Sequence, residues 1–149
     1  MSVTGLDSLD KTVHKTNEWL SGIMHDMPTE SRREAYVALR SVLHALRDRL
    51  PLPIVVSFGA QLPLLVRGIY YDGWHPDGKG LHLRSVEEFL ALIERDIPPG
   101  SPVESEAAVR AVFGVIERHL DPSETTKVIH VLPKAIQQLW GREPSPRDS

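Results

Sequence analysis

Cysteine is absent from the 149 residues, which excludes disulfides, thiolate zinc sites, iron–sulfur clusters and cysteine nucleophiles together. A basic excess is also missing. Seventeen Lys and Arg stand against twenty Asp and Glu, for a net charge of −3, the opposite of a nucleic-acid binder's footprint. No apolar run approaches the ~18–20 residues of a membrane span, and residues 1–15 lack the apolar core of a signal peptide. Motifs of catalysis are missing as well. Asp77-Gly78-Lys79-Gly80 lacks P-loop spacing and the hydroxyl residue after lysine, and there is no nucleophile elbow and no two-histidine zinc helix. The expectation is a cytoplasmic protein without cofactor or metal, binding neither nucleic acid nor membrane.

The bulk composition is that of a folded chain, 41% apolar and 25% charged, with a length that fits one domain. Its most informative feature is a self-similarity at a constant offset of 70 positions. Trp19-Leu20 recurs as Phe89-Leu90, Ile23 as Ile93, and Asp26-Met27-Pro28 as Asp96-Ile97-Pro98. Arg40-Ser41-Val42-Leu43 recurs as Arg110-Ala111-Val112-Phe113, Leu62-Pro63 as Leu132-Pro133, and Ile69-Tyr70 as Leu139-Trp140. Apolar positions, prolines and an arginine keep one spacing, which reads as a tandem duplication of residues 6–74 and 75–142. Residues 143–149 have nothing to bury and are expected to form a disordered tail.

Each half reads as four helices. In the first, Leu6, Leu9, Val13, Leu20, Ile23 and Met27 supply a core stripe ended by Pro28. Ser31 with Glu34 forms a capping box that opens a second helix, with a stripe of Tyr36, Leu39, Val42, Leu43, Leu46 and Leu50. Residues 54–58, Ile-Val-Val-Ser-Phe, look like a strand by β-branching alone. Their counterparts begin Asp121-Pro122, an N-cap with proline in the first turn, so both copies are read as a third, short helix. Pro63 and Pro133 open a fourth. In the second half Ser85 with Glu88 caps a helix carrying Phe89, Leu90 and Ile93, and Val109, Val112, Phe113 and Ile116 mark the next. The fold class is therefore all-α, two tandem four-helix repeats packed into one compact helical domain.

Positions where the copies disagree are candidates for function. Tyr36, Arg40, His44 and Asp48 recur every four residues and so share one helix face. The second copy has Glu106, Arg110, Gly114 and Arg118 there. An imidazole one turn from a carboxylate is a candidate general base with an orienting acid; the plainer reading is a solvated face with local ion pairs. The second candidate is the helix around residues 62–74. It is apolar almost all round, adds Tyr71 and Trp74, and carries Arg67 where the second copy has Gln137. Such a helix is either buried on every side or offers apolar surface to a partner. Arg67, if buried, is expected to pair with a carboxylate, Asp72 or Asp48. The other histidines (His14, His25, His75, His82, His119 and His130) show no metal-ligand spacing and are read, with His44, as scattered surface groups.

Thr16-Asn17-Glu18-Trp19-Leu20, Ala35-Tyr36 through Leu50, and Ala60-Gln61-Leu62-Pro63 through Arg67-Gly68-Ile69-Tyr70-Tyr71-Asp72-Gly73-Trp74 resemble the bacterial domain-of-unknown-function family numbered 2267. The resemblance runs from Leu6 to Trp140. It implies a small helical bacterial protein and assigns no reaction, cofactor or site residue. Two functional readings follow from the residues. One is a non-catalytic interaction or ligand-binding module, its partner a protein, a second copy or a small molecule held by the helix around residues 62–74. The other is a small enzyme or anion-binding protein using Arg40, His44 and Asp48 with Arg67 and Tyr71. A shared core makes a first test: a four-helix unit of this size buries too little apolar surface alone. A fragment of residues 1–74 should therefore lack a cooperative unfolding transition by circular dichroism, and a native-like transition would contradict the shared core.

Overall fold

The structure, a computed structural model, describes residues 2–76 and 85–141. The described residues contain helices and no strand. In chain order they are α1 (Asp7–Asp26), α2 (Arg32–Arg49), α3 (Leu52–Gln61), α4 (Leu64–Tyr71), α5 (Val86–Asp96), α6 (Ser105–His119), α7 (Pro122–His130) and α8 (Lys134–Gln137). A 3-10 turn, Gln138–Trp140, continues α8. The helix limits follow the 70-residue offset: α1 and α5 end at Asp26 and Asp96, α2 and α6 at Arg49 and His119, and α3 and α7 begin at Leu52 and Pro122. The expected disordered tail, 143–149, lies outside the described residues.

Local chemistry sets these limits. The Ser31 side chain accepts from the Glu34 N–H at 3.2 Å and the Ser85 side chain from the Glu88 N–H at 3.1 Å, each satisfying a donor the first turn leaves free. Asp121 accepts from the Ser123 N–H at 2.8 Å, with Pro122 preset in the first turn of α7. The β-branched run 54–58 is helical, as the offset required, because Pro51 and Pro53 place it after a helix-opening turn rather than between partner strands.

Helices α2 and α6 pack on one another at the centre. The α1 helix lies against both of them, α5 lies against both, and α3 meets α7. Leu39, Val42, Leu43 and Leu46 of α2 and Val109, Val112, Phe113 and Ile116 of α6 are fully buried. Phe113 stacks on Trp140 at 4.0 Å between centroids. Their offset partners, Leu43 and Tyr70, are buried too. Gly22 lets α1 and α6 close up, since a Cβ there would stand 3.0 Å from Val115.

The first turns of α1 correct the sequence reading. Leu6 is 58% exposed and Leu9 38%, whereas Trp19 and Ile23 are fully buried. The apolar period continues along the helix, but nothing among the described residues covers its first turns. Tyr36, placed in the α2 stripe, is also exposed.

Leu62 and Leu132 each precede a helix-opening proline and are almost wholly buried. Leu62→Ala or Leu132→Ala should lower the unfolding free energy by ~2–5 kcal/mol, the range for emptying a buried leucine site, in a denaturant titration. A change within ~0.5 kcal/mol would mark the position as surface-like.

Candidate functional site

A helix leaves its last carbonyls without intrahelical donors. The α4 helix ends against α2, and there the polar residues of α2 take up this demand. His44, almost fully buried, donates from Nε2 to the Ile69 carbonyl at 2.7 Å. A carbonyl only accepts, so Nε2 carries the proton and Nδ1 presents its lone pair, to which Arg40 Nη1 donates at 3.4 Å. Arg40 also pairs with Asp72 at 3.1 Å. One turn on, the buried Arg47 donates from Nη1 to the carbonyls of Tyr70 and Asp72, both at 3.0 Å, and from Nε to Asp48 at 2.9 Å. The buried guanidinium is thus matched by one carboxylate and two carbonyls.

Arg67 also serves backbone. Its Nη2 donates to the carbonyls of Ala60 at 3.2 Å and Leu62 at 3.0 Å, where the chain turns from α3 into α4. The expected carboxylate partner is therefore corrected: Asp72 is held by Arg40 and Asp48 by Arg47. In the second half Gln137 Nε2 donates to the Leu132 carbonyl at 2.7 Å. Arginine and glutamine, 70 positions apart, bond to carbonyls 70 positions apart. An amide and a guanidinium share the N–H that this turn needs.

The aromatic residues of the helix divide by burial. Tyr70 is fully buried and donates to the Val55 carbonyl of α3 at 2.9 Å; burial raises its phenol above the usual range. Tyr71 is half-buried with its hydroxyl 3.5 Å from the same carbonyl, and it lies over Gly59, where any Cβ would strike its ring. Trp74 is half-buried against Tyr71 at 5.4 Å, after Gly73 turns the chain at φ +73°.

Of the sequence candidates, Arg40 and His44 meet the end of α4 directly, and Asp48 does so only through Arg47. Tyr36 points to solvent at the start of α2, and Arg67 serves the opposite end of α4. Two groups were missed, Arg47 and the Ile69 carbonyl. Arg47 lies one turn after His44 on the same face, a signal the four-residue spacing passed over. The reading of the histidines as scattered surface groups is corrected at two positions: His44 is buried, and His119 stacks on Trp19 at 5.4 Å. Burial holds both imidazoles below their ordinary range. His82 lies outside the described residues. Among the described residues no cluster of three metal-ligating side chains occurs, and no helix is long and apolar enough to cross a membrane.

The chain matches a family model described as "Uncharacterized conserved protein (DUF2267)" over residues 16–139. No curated protein matches it.

Replacing Arg67 tests its backbone role. Arg67→Gln should leave stability within about 0.5 kcal/mol of wild type, since glutamine serves the matching turn. Arg67→Met strips the donor from the Leu62 carbonyl and should cost about 1–3 kcal/mol by chemical denaturation. Equal effects of the two variants would refute the assignment.

Proposed function

The chain belongs to the DUF2267 family, and for it we propose a non-catalytic interaction module that docks another protein through the outer face of α4 and the adjoining first turns of α1. The observation that carries this reading is an exposed leucine face. Leu64 and Leu65 are 57% and 42% exposed, and the Leu65 N–H donates to Thr12 Oγ1 of α1 at 3.0 Å. That bond sets the start of α4 beside α1, with the exposed Leu9 one turn before Thr12 and Leu6 at the helix start. At the matching positions of the second half Leu64 and Leu65 become Lys134 and Ala135. On α3, the exposed Leu52 and Val56 become Pro122 and Thr126. Apolar groups on the surface of one half and polar or small ones on the other fit a binding face better than a core requirement, because clustered exposed leucines add nothing to folding and favour association.

The alternative, chemistry or anion binding by Arg40, His44, Asp48, Arg67 and Tyr71, is weakened by the bonds these groups already make. A general base needs a lone pair open to substrate, and the free nitrogen of His44 faces a guanidinium. Asp48 and Arg67 are likewise engaged within the fold.

The test gives the first-half face the residues of the second half. Leu64→Lys with Leu65→Ala should leave the unfolding free energy within about 0.5 kcal/mol of wild type while removing the species that co-purifies with it, read by native mass spectrometry. Retention of that species by the variant, or a wild-type chain that purifies as a bare monomer, would overturn the reading. Tyr71→Ala and Trp74→Ala serve as comparison: a docking role confined to the leucines predicts a loss of stability there without a selective loss of association.

A further inference from the structure

The His44 ring is closed in by α2 and the last turn of α4, with both nitrogens engaged. Its Nε2 proton is committed to the Ile69 carbonyl, so an added proton has only Nδ1 to bind. There it would point at the Arg40 guanidinium, which has no lone pair to receive it. We propose that His44 is an acid-sensitive latch: it closes the end of α4 on α2 while neutral, and acid favours the opened turn, in which the solvated ring, away from Arg40, can take a proton on Nδ1.

The surrounding charges support the direction. Burial disfavours the imidazolium most, and Arg47 and Arg40 on α2 oppose it further; the Ile69 bond and Asp96 at the end of α5 act the other way. On α4, Arg67 is turned to the carbonyls of Ala60 and Leu62, and Asp72 is held by Arg40. On α1 and α6, Asp26 and Arg118 pair with one another at 2.8 Å. The folded state therefore prefers the neutral ring, and its imidazole titrates below the ordinary value of 6.5. The sign follows from linkage: the latch is whole above pH 6.5 and weakens as pH falls from there towards the folded-state value. In the closed turn a proton on Nδ1 would face Arg40 Nη1 at 3.4 Å, N–H against N–H, so the ring gains its proton by leaving that contact. Opening of the last turn costs the Ile69 bond, while Arg47 still holds the Tyr70 and Asp72 carbonyls. The opening is local to the end of α4 and does not depend on what the leucine face binds.

Hydrogen exchange on the full chain tests this, comparing segment 64–74 at about pH 7.5 and about pH 5.5 after correction for intrinsic exchange, with α6 as the internal reference. Protection of 64–74 should fall relative to α6 in wild type, by at most about tenfold per pH unit below 6.5, the limit for one proton. His44→Gln, which offers an amide donor and does not titrate, should show no such fall. An unchanged wild type, or an equal fall in the variant, overturns the proposal. Should His44→Gln not fold, the ring resonances of wild-type His44 decide: a midpoint below 6.5 with the proton on Nε2 at neutral pH supports the latch, and a midpoint at or above 6.5 overturns it.

Discussion

The short α4 helix imposes the constraint around which the first half is arranged. Its eight residues include a fully buried Tyr70, so its last carbonyls come to lie against α2 rather than in water. A buried carbonyl without a donor costs about 1–3 kcal/mol; that of Tyr70 is buried here, and those of Ile69 and Asp72 beside it are partly so. The α2 helix meets that demand with His44 and Arg47, polar side chains placed among Leu43, Ala45 and Leu46 in the middle of its buried surface. The guanidinium so buried then requires Asp48 beside it. One helix end thus accounts for most of the polar chemistry on α2.

The second half meets the same geometric problem differently. The positions matching His44 and Arg47 are Gly114 and Glu117, neither of which brings a side-chain N–H. There the fourth helix is a single turn that tightens into a 3-10 turn, and Gly141 at φ +72° closes it in the left-handed region that glycine tolerates. The α2 helix, with its side-chain donors, thus faces a two-turn fourth helix, and α6, without them, faces a single turn that ends in a 3-10 turn. The divergence of the two α2-type helices is thereby tied to the divergence of the two α4-type helices.

Helices, their limits and most of the core were legible because they are written in local chemistry. Ser31, Ser85 and Asp121 cap, prolines interrupt, and the 70-residue offset overruled the β-branched run at 54–58. Burial of α1's first turns was not legible, since periodicity marks an apolar face and says nothing of whether a neighbour covers it. The roles of His44, Arg47 and Arg67 were hidden for a different reason. Each bonds to backbone carbonyls, which every residue carries, so no partner residue type appears in the sequence to betray the contact. The pairing of Arg67 with Gln137 held the one usable clue: the two share a donor N–H and not a charge, which points to a carbonyl rather than a carboxylate.

These bonds also bear on how the leucine face and the α2 contacts relate. At two turns, α4 is too short to be stable alone in water, so it keeps its shape only while both ends are held. The bond from the Leu65 N–H to Thr12 and those from Arg67 fix its start, Tyr70 ties its middle to α3, and His44 with Arg47 fixes its end. Leu64 and Leu65 sit on the outer side of an element held by these polar bonds and by the buried side chains of Val66 and Tyr70. With its start held through Thr12 and Arg67 and its middle through Tyr70, a disturbance at the Ile69 carbonyl is confined to the last turn of α4, away from the two leucines.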